Sequence, residues 1–220
     1  MAEPCPDPCR AARESAETSH PPCCCDKSTD MMVMIFSDTR PPDGLIEQVA
    51  SVPGLLGDLR SDHAGETGAV MIYRGILAAT GDPWVRRFAL EHLATEQDHL
   101  ALMEGLLASS QRSRLVPLWR VAGWLTGFIP ALIGARAVYA TIEAVEIFVD
   151  HHYAAQIMKL PQDGSAGALR EKLKMCQADE VRHREEARAA QEAPATGALA
   201  LWKRIVGHGS AMAVIVARRL

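Results

Sequence analysis

The sequence predicts an all-α protein: a four-helix bundle of two helical hairpins joined by a long crossover, with additional apolar helices beside it. Three observations predict it. Aromatic residues are only 5% of the chain while Ala and Leu are plentiful, which favours helices over strands. Apolar residues step by three or four along several long stretches. Two Glu-x-x-His motifs, Glu96-Gln97-Asp98-His99 and Glu180-Val181-Arg182-His183, sit where such stripes should carry core residues. On a helix, i and i+3 share one face, so each motif presents a carboxylate and an imidazole to one point.

The elements follow in order. Residues 1–40 are rich in Cys, Pro, Ser, Asp and Glu, have no apolar period and read as a disordered tail. Five of the six cysteines (Cys5, Cys9, Cys23, Cys24, Cys25) lie there, without the even spacing of a disulfide framework, which suggests a reducing compartment. The folded domain is expected over residues 41–220. Its first long helix starts at Leu45 or Gly54 and ends near Ala79, with Leu59, His63, Glu66, Val70, Tyr73 and Leu77 on one face. Gly81-Asp82-Pro83 breaks the pattern, and Pro83 suits the first turn of a second helix to about Leu107. That helix turns Ala89, Leu93, Glu96, His99 or Leu100, and Met103 inward. Residues 109–116 connect. Residues 117–135 form an apolar crossover whose glycines read as softening a helix. A third long helix covers Ala135 to Leu160, with Val138, Ile142, Val145, Glu146, Val149 and Tyr153 on one face. After the turn Pro161-Gln162-Asp163-Gly164, a fourth runs from Ala168 to Ala190 through Leu169, Leu173, Cys176, Glu180, His183 and Ala187. Pro194 interrupts before a last helix from Leu199 to Leu220.

Charge and hydropathy exclude some classes. A net charge of -4, from 23 basic and 27 acidic residues, argues against a general nucleic-acid binder. The nearest approach to an uninterrupted apolar span, Val121 to Ala135, is broken by Gly123, Gly127, Pro130 and Gly134, so no membrane span is expected. Neither a signal peptide nor a transit peptide is expected at the N-terminus.

A spacing argument extends the site. Two residues of an antiparallel helix pair lie level when they are equally far from the turn. Glu66 and Glu96 have their midpoint at (66 + 96)/2 = 81, inside Gly81-Asp82-Pro83. Glu146 and Glu180 have theirs at (146 + 180)/2 = 163, inside the second turn. Each hairpin thus sets a lone glutamate level with a Glu-x-x-His, the ligand set of a dinuclear carboxylate centre in a ferritin-like bundle, which also uses a long crossover. Glu66 with His99 would serve one ion and Glu146 with His183 the other, while Glu96 and Glu180 bridge. Glu143 lies close to Glu146 on the helical wheel, and turn spacing accepts either, with a slight edge to Glu146. Carboxylates with imidazole suit Fe(II), with Mn(II) as competitor. Such a centre can activate O2, the protein supplying geometry and exclusion of water. Asp179 is expected to support His183 from four residues away, a role Thr95 fills only weakly for His99. His63, His92, His151 and His152 read as surface or supporting histidines rather than ligands.

These residues resemble the demethoxyubiquinone hydroxylases of ubiquinone biosynthesis, the Coq7 family. The resemblance rests on Arg60-Ser-Asp-His-Ala-Gly-Glu-Thr-Gly-Ala69, Glu96-Gln-Asp-His99, Ala144-Val-Glu146 followed by His151-His-Tyr153, and Asp179-Glu-Val-Arg-His183, with a similar ending at Ala217-Arg-Arg-Leu220. It implies an O2-dependent di-iron monooxygenase that hydroxylates the ring of a polyprenylated demethoxyubiquinone precursor. It assigns Glu66, Glu96, His99, Glu146, Glu180 and His183 as the ligands of two iron ions, choosing Glu146 over Glu143. Asp179, His152 and Tyr153 are expected behind them. It implies NADH as reductant, although no Gly-rich nucleotide fingerprint places its site.

The apolar segments Leu115 to Ala135 and Leu199 to Leu220 suit a membrane surface, with Trp119, Trp124 and Trp202 and the cations Lys203, Arg204, Arg218 and Arg219. The expected location is peripheral, on the cytoplasmic face of a bacterial inner membrane, or the matrix side of the mitochondrial inner membrane in a eukaryote. A lipid-presenting partner protein, or a second copy of the chain, would cover the same surfaces. The competing reading is a ferritin-like protein that oxidises and stores iron, against which the apolar outer segments argue.

Overall fold

The computed structural model describes residues 44–191 and 193–220, all helix and connection. The expected tail and the start of folded structure at Pro41 lie outside the described residues. Among the described residues seven α-helices follow one another: α1 (Leu45–Ser51), α2 (Leu55–Ala79), α3 (Pro83–Leu106), α4 (Val116–Ile133), α5 (Ala135–Lys159), α6 (Gly167–Ala189) and α7 (Ala198–Ala217). The two starts expected for the first helix are both real, because Val52-Pro53-Gly54 splits it. Pro53 cannot continue the hydrogen-bond ladder of α1, and Gly54 turns the chain at φ 80° into α2.

Local chemistry sets the hairpins. Asp82 caps α3 by accepting from the Trp84 N–H at 2.8 Å and the Val85 N–H at 3.3 Å, with Pro83 in the first turn. The four long helices α2, α3, α5 and α6 enclose two apolar clusters. One gathers Leu59, Met103, Leu106, Leu160, Leu169 and Leu173 at one end, and the other Ile76, Val85, Ala89, Val138 and Ile142 at the opposite end. Glu66, Glu96, Glu146 and Glu180 fall on the helix stretches between them. These two plugs of hydrocarbon seal a polar layer from water at both ends.

The crossover differs from the expectation of a softened segment. It is one continuous helix, α4, laid along α2. Its glycines are contact points: a Cβ on Gly123 would lie 2.4 Å from the Gly68 carbonyl oxygen, and one on Gly127 would lie 1.9 Å from that of Ile72. Gly75 of α2 answers in kind, since a Cβ there would lie 2.2 Å from the Trp124 carbonyl oxygen. Small residues let the two backbones touch, as in close-packed helix pairs of membrane proteins. Gly134, at φ 136°, is the single joint between α4 and α5.

The outer faces of α4 and α7 carry Leu118, Val121, Leu125, Ile129, Leu132 and Ile133, and Leu201, Ile205, Met212 and Ile215, all exposed. Both helices are long and apolar enough, by length and composition alone, to cross a membrane. Gly123, Gly127 and Pro130 lie inside α4 without lowering its apolar content. Two of the cations expected to flank this face are engaged within the chain, Lys203 with Glu143 and Arg218 with Asp58. Arg204 and Arg219 remain exposed.

Candidate metal centre

Four helices each bring one part of the centre: α2 supplies Glu66, α3 Glu96 and His99, α5 Glu146, and α6 Glu180 and His183. All six are buried. They form two groups, Glu66, Glu96, His99, Glu180 and Glu96, Glu146, Glu180, His183, in each of which one ligand-type atom per residue lies within 4.8 Å of the others. Glu96 and Glu180 belong to both. His99 Nδ1 is 3.0 Å from Glu180 Oε1, and His183 Nδ1 is 3.0 Å from Glu96 Oε1. Yet both ring nitrogens, Glu180 Oε1 and both Glu96 oxygens are buried with no aligned hydrogen-bond partner among the described residues. Buried polar atoms in that state are costly unless something else satisfies them. Carboxylate oxygens and imidazole nitrogens converging in two overlapping sets fit a pair of metal ions.

The electrostatics agree with that fit. Burial, and then repulsion from neighbouring carboxylates, pushes Glu66 and Glu146 well above the usual carboxylate range. Burial works against an ionised Glu180 as well, but the flanking histidines hold it down at about 2. Burial opposes the charge on His183, and Glu180 and Glu96 outweigh it and carry the ring up to about 9. Four carboxylates crowded out of water create a demand for positive charge that bound cations meet.

The supporting residues fall partly where expected. Tyr153 donates its O–H to Glu66 Oε1 at 2.5 Å. Tyr73 donates to Glu146 Oε1 at 3.4 Å. Each tyrosine follows the glutamate of its own helix by seven residues, Glu66 to Tyr73 and Glu146 to Tyr153, and serves the glutamate of the other helix. That repeated spacing is the signal in the sequence for Tyr73, whose place on the inward face of α2 by itself marks only a core residue.

Asp179 corrects an expectation. It pairs with His99 Nε2 at 3.2 Å, not with His183. The antiparallel run of α3 and α6 sets Asp179 opposite His99, while the His183 ring is drawn flat against His92, centroid to centroid 4.1 Å and 16° from parallel. His92 and His63 are buried rather than at the surface, and neither joins a ligand group among the described residues; His151 is exposed. The His92 ring lies 3.2 Å from the Tyr73 hydroxyl and 2.7 Å from Glu186 Oε2. Burial and the neighbouring His183 lower its pKa to about 4. Its place four residues before Glu96, on the same face, was legible in the spacing. His152 also departs from expectation: it meets Asp62 Oδ1 at 2.8 Å and Ser61 at 3.3 Å, not a residue of the cluster. Glu143 points away, to Lys203 and Gln191.

A cavity of about 350 Å³ opens against the cluster. Glu66, Glu96, Glu146 and Glu180 line it on one side, and Trp119 and Gly123 of α4, Phe148 of α5, and Trp202, Ile205 and Val214 of α7 on the other. It is walled chiefly by hydrocarbon and bounded by the two helices whose outer faces are apolar.

The fold and site define a class, a ferritin-like helical bundle with a buried carboxylate–histidine centre able to hold metal. Within it the chain belongs to the family described as "Ubiquinone biosynthesis protein COQ7", whose sequence model matches residues 56–217. A Rhodospirillum rubrum protein named 3-demethoxyubiquinol 3-hydroxylase is 37% identical over 168 residues, covering 74% of this chain and 76% of that protein. A Dictyostelium discoideum protein named NADPH-dependent 3-demethoxyubiquinone 3-hydroxylase, mitochondrial, is 34% identical over 57% of this chain and 59% of its own length. The Rattus norvegicus protein of the same name is 31% identical over 73% and 76%.

Proposed function

We propose that this chain is a monooxygenase that hydroxylates the ring of a polyprenylated demethoxyubiquinol or demethoxyubiquinone precursor, using a dinuclear iron centre and O2. The carrying observation is an apolar cavity that ends on a buried cluster of four glutamates and two histidines, in a chain of this family. Glu66 and His99 would hold one ion, Glu146 and His183 the other, with Glu96 and Glu180 shared. Iron bound there supplies the activation of O2 for insertion into the ring.

The chain's own residues do the rest. The apolar plugs above and below the polar layer keep bulk water out. Tyr153 and Tyr73 hold Glu66 and Glu146 by their carboxylate oxygens and fix the direction in which the free oxygens point. Asp179 accepts from His99 Nε2, which fixes the tautomer and leaves Nδ1 as the donor atom. The cavity wall accepts a ring and the first part of an isoprenoid tail. The rest of the tail leaves along the apolar faces of α4 and α7, and those exposed faces support the reading of a peripheral protein on a membrane surface. That surface is the cytoplasmic face of the inner membrane in a bacterium, or the matrix face in a mitochondrion. A lipid-presenting protein or a second copy of the chain would dock there. The reductant in this reading is NADH or NADPH, the latter appearing in the names of the Dictyostelium and rat relatives.

The test is the quinone profile of cells lacking the gene, read by mass spectrometry of lipid extracts, with the gene or its Glu180→Ala variant restored. Accumulation of a demethoxyubiquinone species that only the wild-type gene clears is expected. Normal ubiquinone with altered iron content or peroxide tolerance would instead favour an iron-storing protein.

A further inference from the structure

The last helix is lightly seated and held near its two ends. Of the 20 residues of α7 only Val206 and Ala217 are buried. Between those two, Gly209, Ser210, Ala213 and Val214 line the cavity. The first hold precedes that stretch. Trp202 Nε1 donates to Thr141 Oγ1 of α5 at 2.7 Å, and Lys203 pairs with Glu143 of the same helix. The second hold is the closing motif Ala217-Arg-Arg-Leu220. The Arg218 guanidinium pairs with the buried Asp58 of α2. The Arg218 carbonyl accepts from Arg60 Nη1 at 3.3 Å, and the Leu220 carbonyl accepts from the Arg114 N–H at 2.8 Å. Arg60 is itself fixed, donating Nε to the Gln111 carbonyl at 2.6 Å. Lys159 of α5 holds the other oxygen of Asp58 at 2.9 Å.

The glycines of α7 supply an independent observation. A Cβ on Gly207 or on Gly209 would meet nothing within 4 Å among the described residues. Unlike Gly123 and Gly127 of α4, they admit no neighbouring backbone. What remains is their effect on the helix, which each weakens about fivefold relative to Ala. They fall just past Val206, where the first hold ends and the stretch over the cavity begins. The second hold is polar and sits at a chain end, so water can replace its hydrogen bonds on release. Beyond Val206, only Ala217 would leave a buried position.

We propose that the part of α7 beyond Val206 is a flap over the cavity, which bends at Gly207 and Gly209 and is latched shut where Arg218 meets Asp58 and Arg60. Closed, the flap completes the apolar wall that keeps water from the carboxylate cluster. Open, it widens the cavity on the side where the outer face of α7 is apolar, so a water-insoluble molecule enters without crossing water. Asp58 and Arg60 act through Arg218 and are positioning residues for the flap. That a quinone ring is what passes rests on the substrate class proposed above.

Two changes push the flap in opposite directions. Arg218→Gln removes the ion pair to Asp58 and frees the latch. Gly207→Ala with Gly209→Ala stiffens the bend. Amide hydrogen exchange of the full chain, followed by mass spectrometry, reads the opening, because so short a helical stretch frays once it leaves its support. Residues 207–217 should exchange about tenfold faster in Arg218→Gln and at least about fivefold slower in the double alanine variant. Residues 198–206 and the four bundle helices should be unchanged. Entry is read by stopped-flow quenching of Trp119 and Trp202, which line the cavity. The probe is an oxidised demethoxyubiquinone analogue with a two-isoprene tail, and the chain is loaded with Zn(II), which exchanges no electrons with it. Its association and dissociation rates should both rise in Arg218→Gln and both fall in the alanine variant, with the dissociation constant moving less than either. Exchange that is unaltered in Arg218→Gln, or raised alike in every helix, overturns the latch. Equal entry rates in all three proteins overturn the flap and leave the proposed function standing. Failure of the wild-type chain to bind the probe overturns both.

Discussion

Replacing Gly127 by Ala tests how the roof of the cavity is held. The new Cβ would sit 1.9 Å from the Ile72 carbonyl oxygen, 2.7 Å from its carbon and 3.0 Å from its Cα. A relaxed carbon–oxygen contact is about 3.3 Å. The helices α2 and α4 must therefore separate by about 1.4 Å, because the obstacle is backbone and cannot swing aside. Overpacking of this kind costs about 1–3 kcal/mol. Taking the upper end, and subtracting about 1 kcal/mol for the better helix propensity of Ala, leaves a net loss of about 2 kcal/mol. For a domain of this size that lowers Tm by roughly 4–8 °C. The control is Gly207→Ala in α7, where a Cβ meets nothing within 4 Å. There only the propensity gain remains, about 0.5–1 kcal/mol, and Tm should rise. Thermal unfolding followed by circular dichroism reads both. If Gly127→Ala is as stable as Gly207→Ala, the glycine seam between α2 and α4 is not what joins them.

Further outcomes follow from the same geometry. On the proposed di-iron reading, Glu146→Gln should lower bound metal from two ions per chain toward one, while Glu143→Gln leaves it unchanged; a reversed result would reassign the ligand. Asp179→Ala should weaken retention of one of the two ions by about 10- to 100-fold against a chelator, and equal weakening of both would show that His99 does not draw on Asp179. Glu143 is held below its ordinary value of 4.5, burial being outweighed by Lys203 and Gln191. A carboxylate with a depressed folded-state pKa binds fewer protons folded than unfolded, so its contribution is present above 4.5 and lost as pH falls through the folded value. Wild type should thus exceed Glu143→Gln in stability near neutral pH, and the two should converge in acid. A gap that persists at pH 3 would mean the charge of Glu143 is not its source.

Much of the site was legible in one dimension, because a helix converts spacing into direction. Glu96 and His99, and Glu180 and His183, share a face whatever the helix packs against. An antiparallel hairpin converts distance from a turn into height, which paired Glu66 with Glu96 and Glu146 with Glu180. The same rule could have found Tyr73, at the spacing that Tyr153 holds from Glu146, and His92, four residues before Glu96.

What crosses between hairpins was not legible. Asp179 could be placed on α6 by spacing, but its choice of His99 over His183 depends on how α3 and α6 run past each other. Glu143 and Glu146 stand on nearby faces of one helix, and Lys203 of α7 together with Gln191 draws the first outward while the second stays in the core. The glycines of the crossover carried no sign of their use, since a glycine that softens a helix and one that admits a neighbouring backbone are the same residue. Periodicity acts along the chain and is written in the sequence; the choice of partner is made by side chains distant in sequence, and only the packed tertiary structure brings those together.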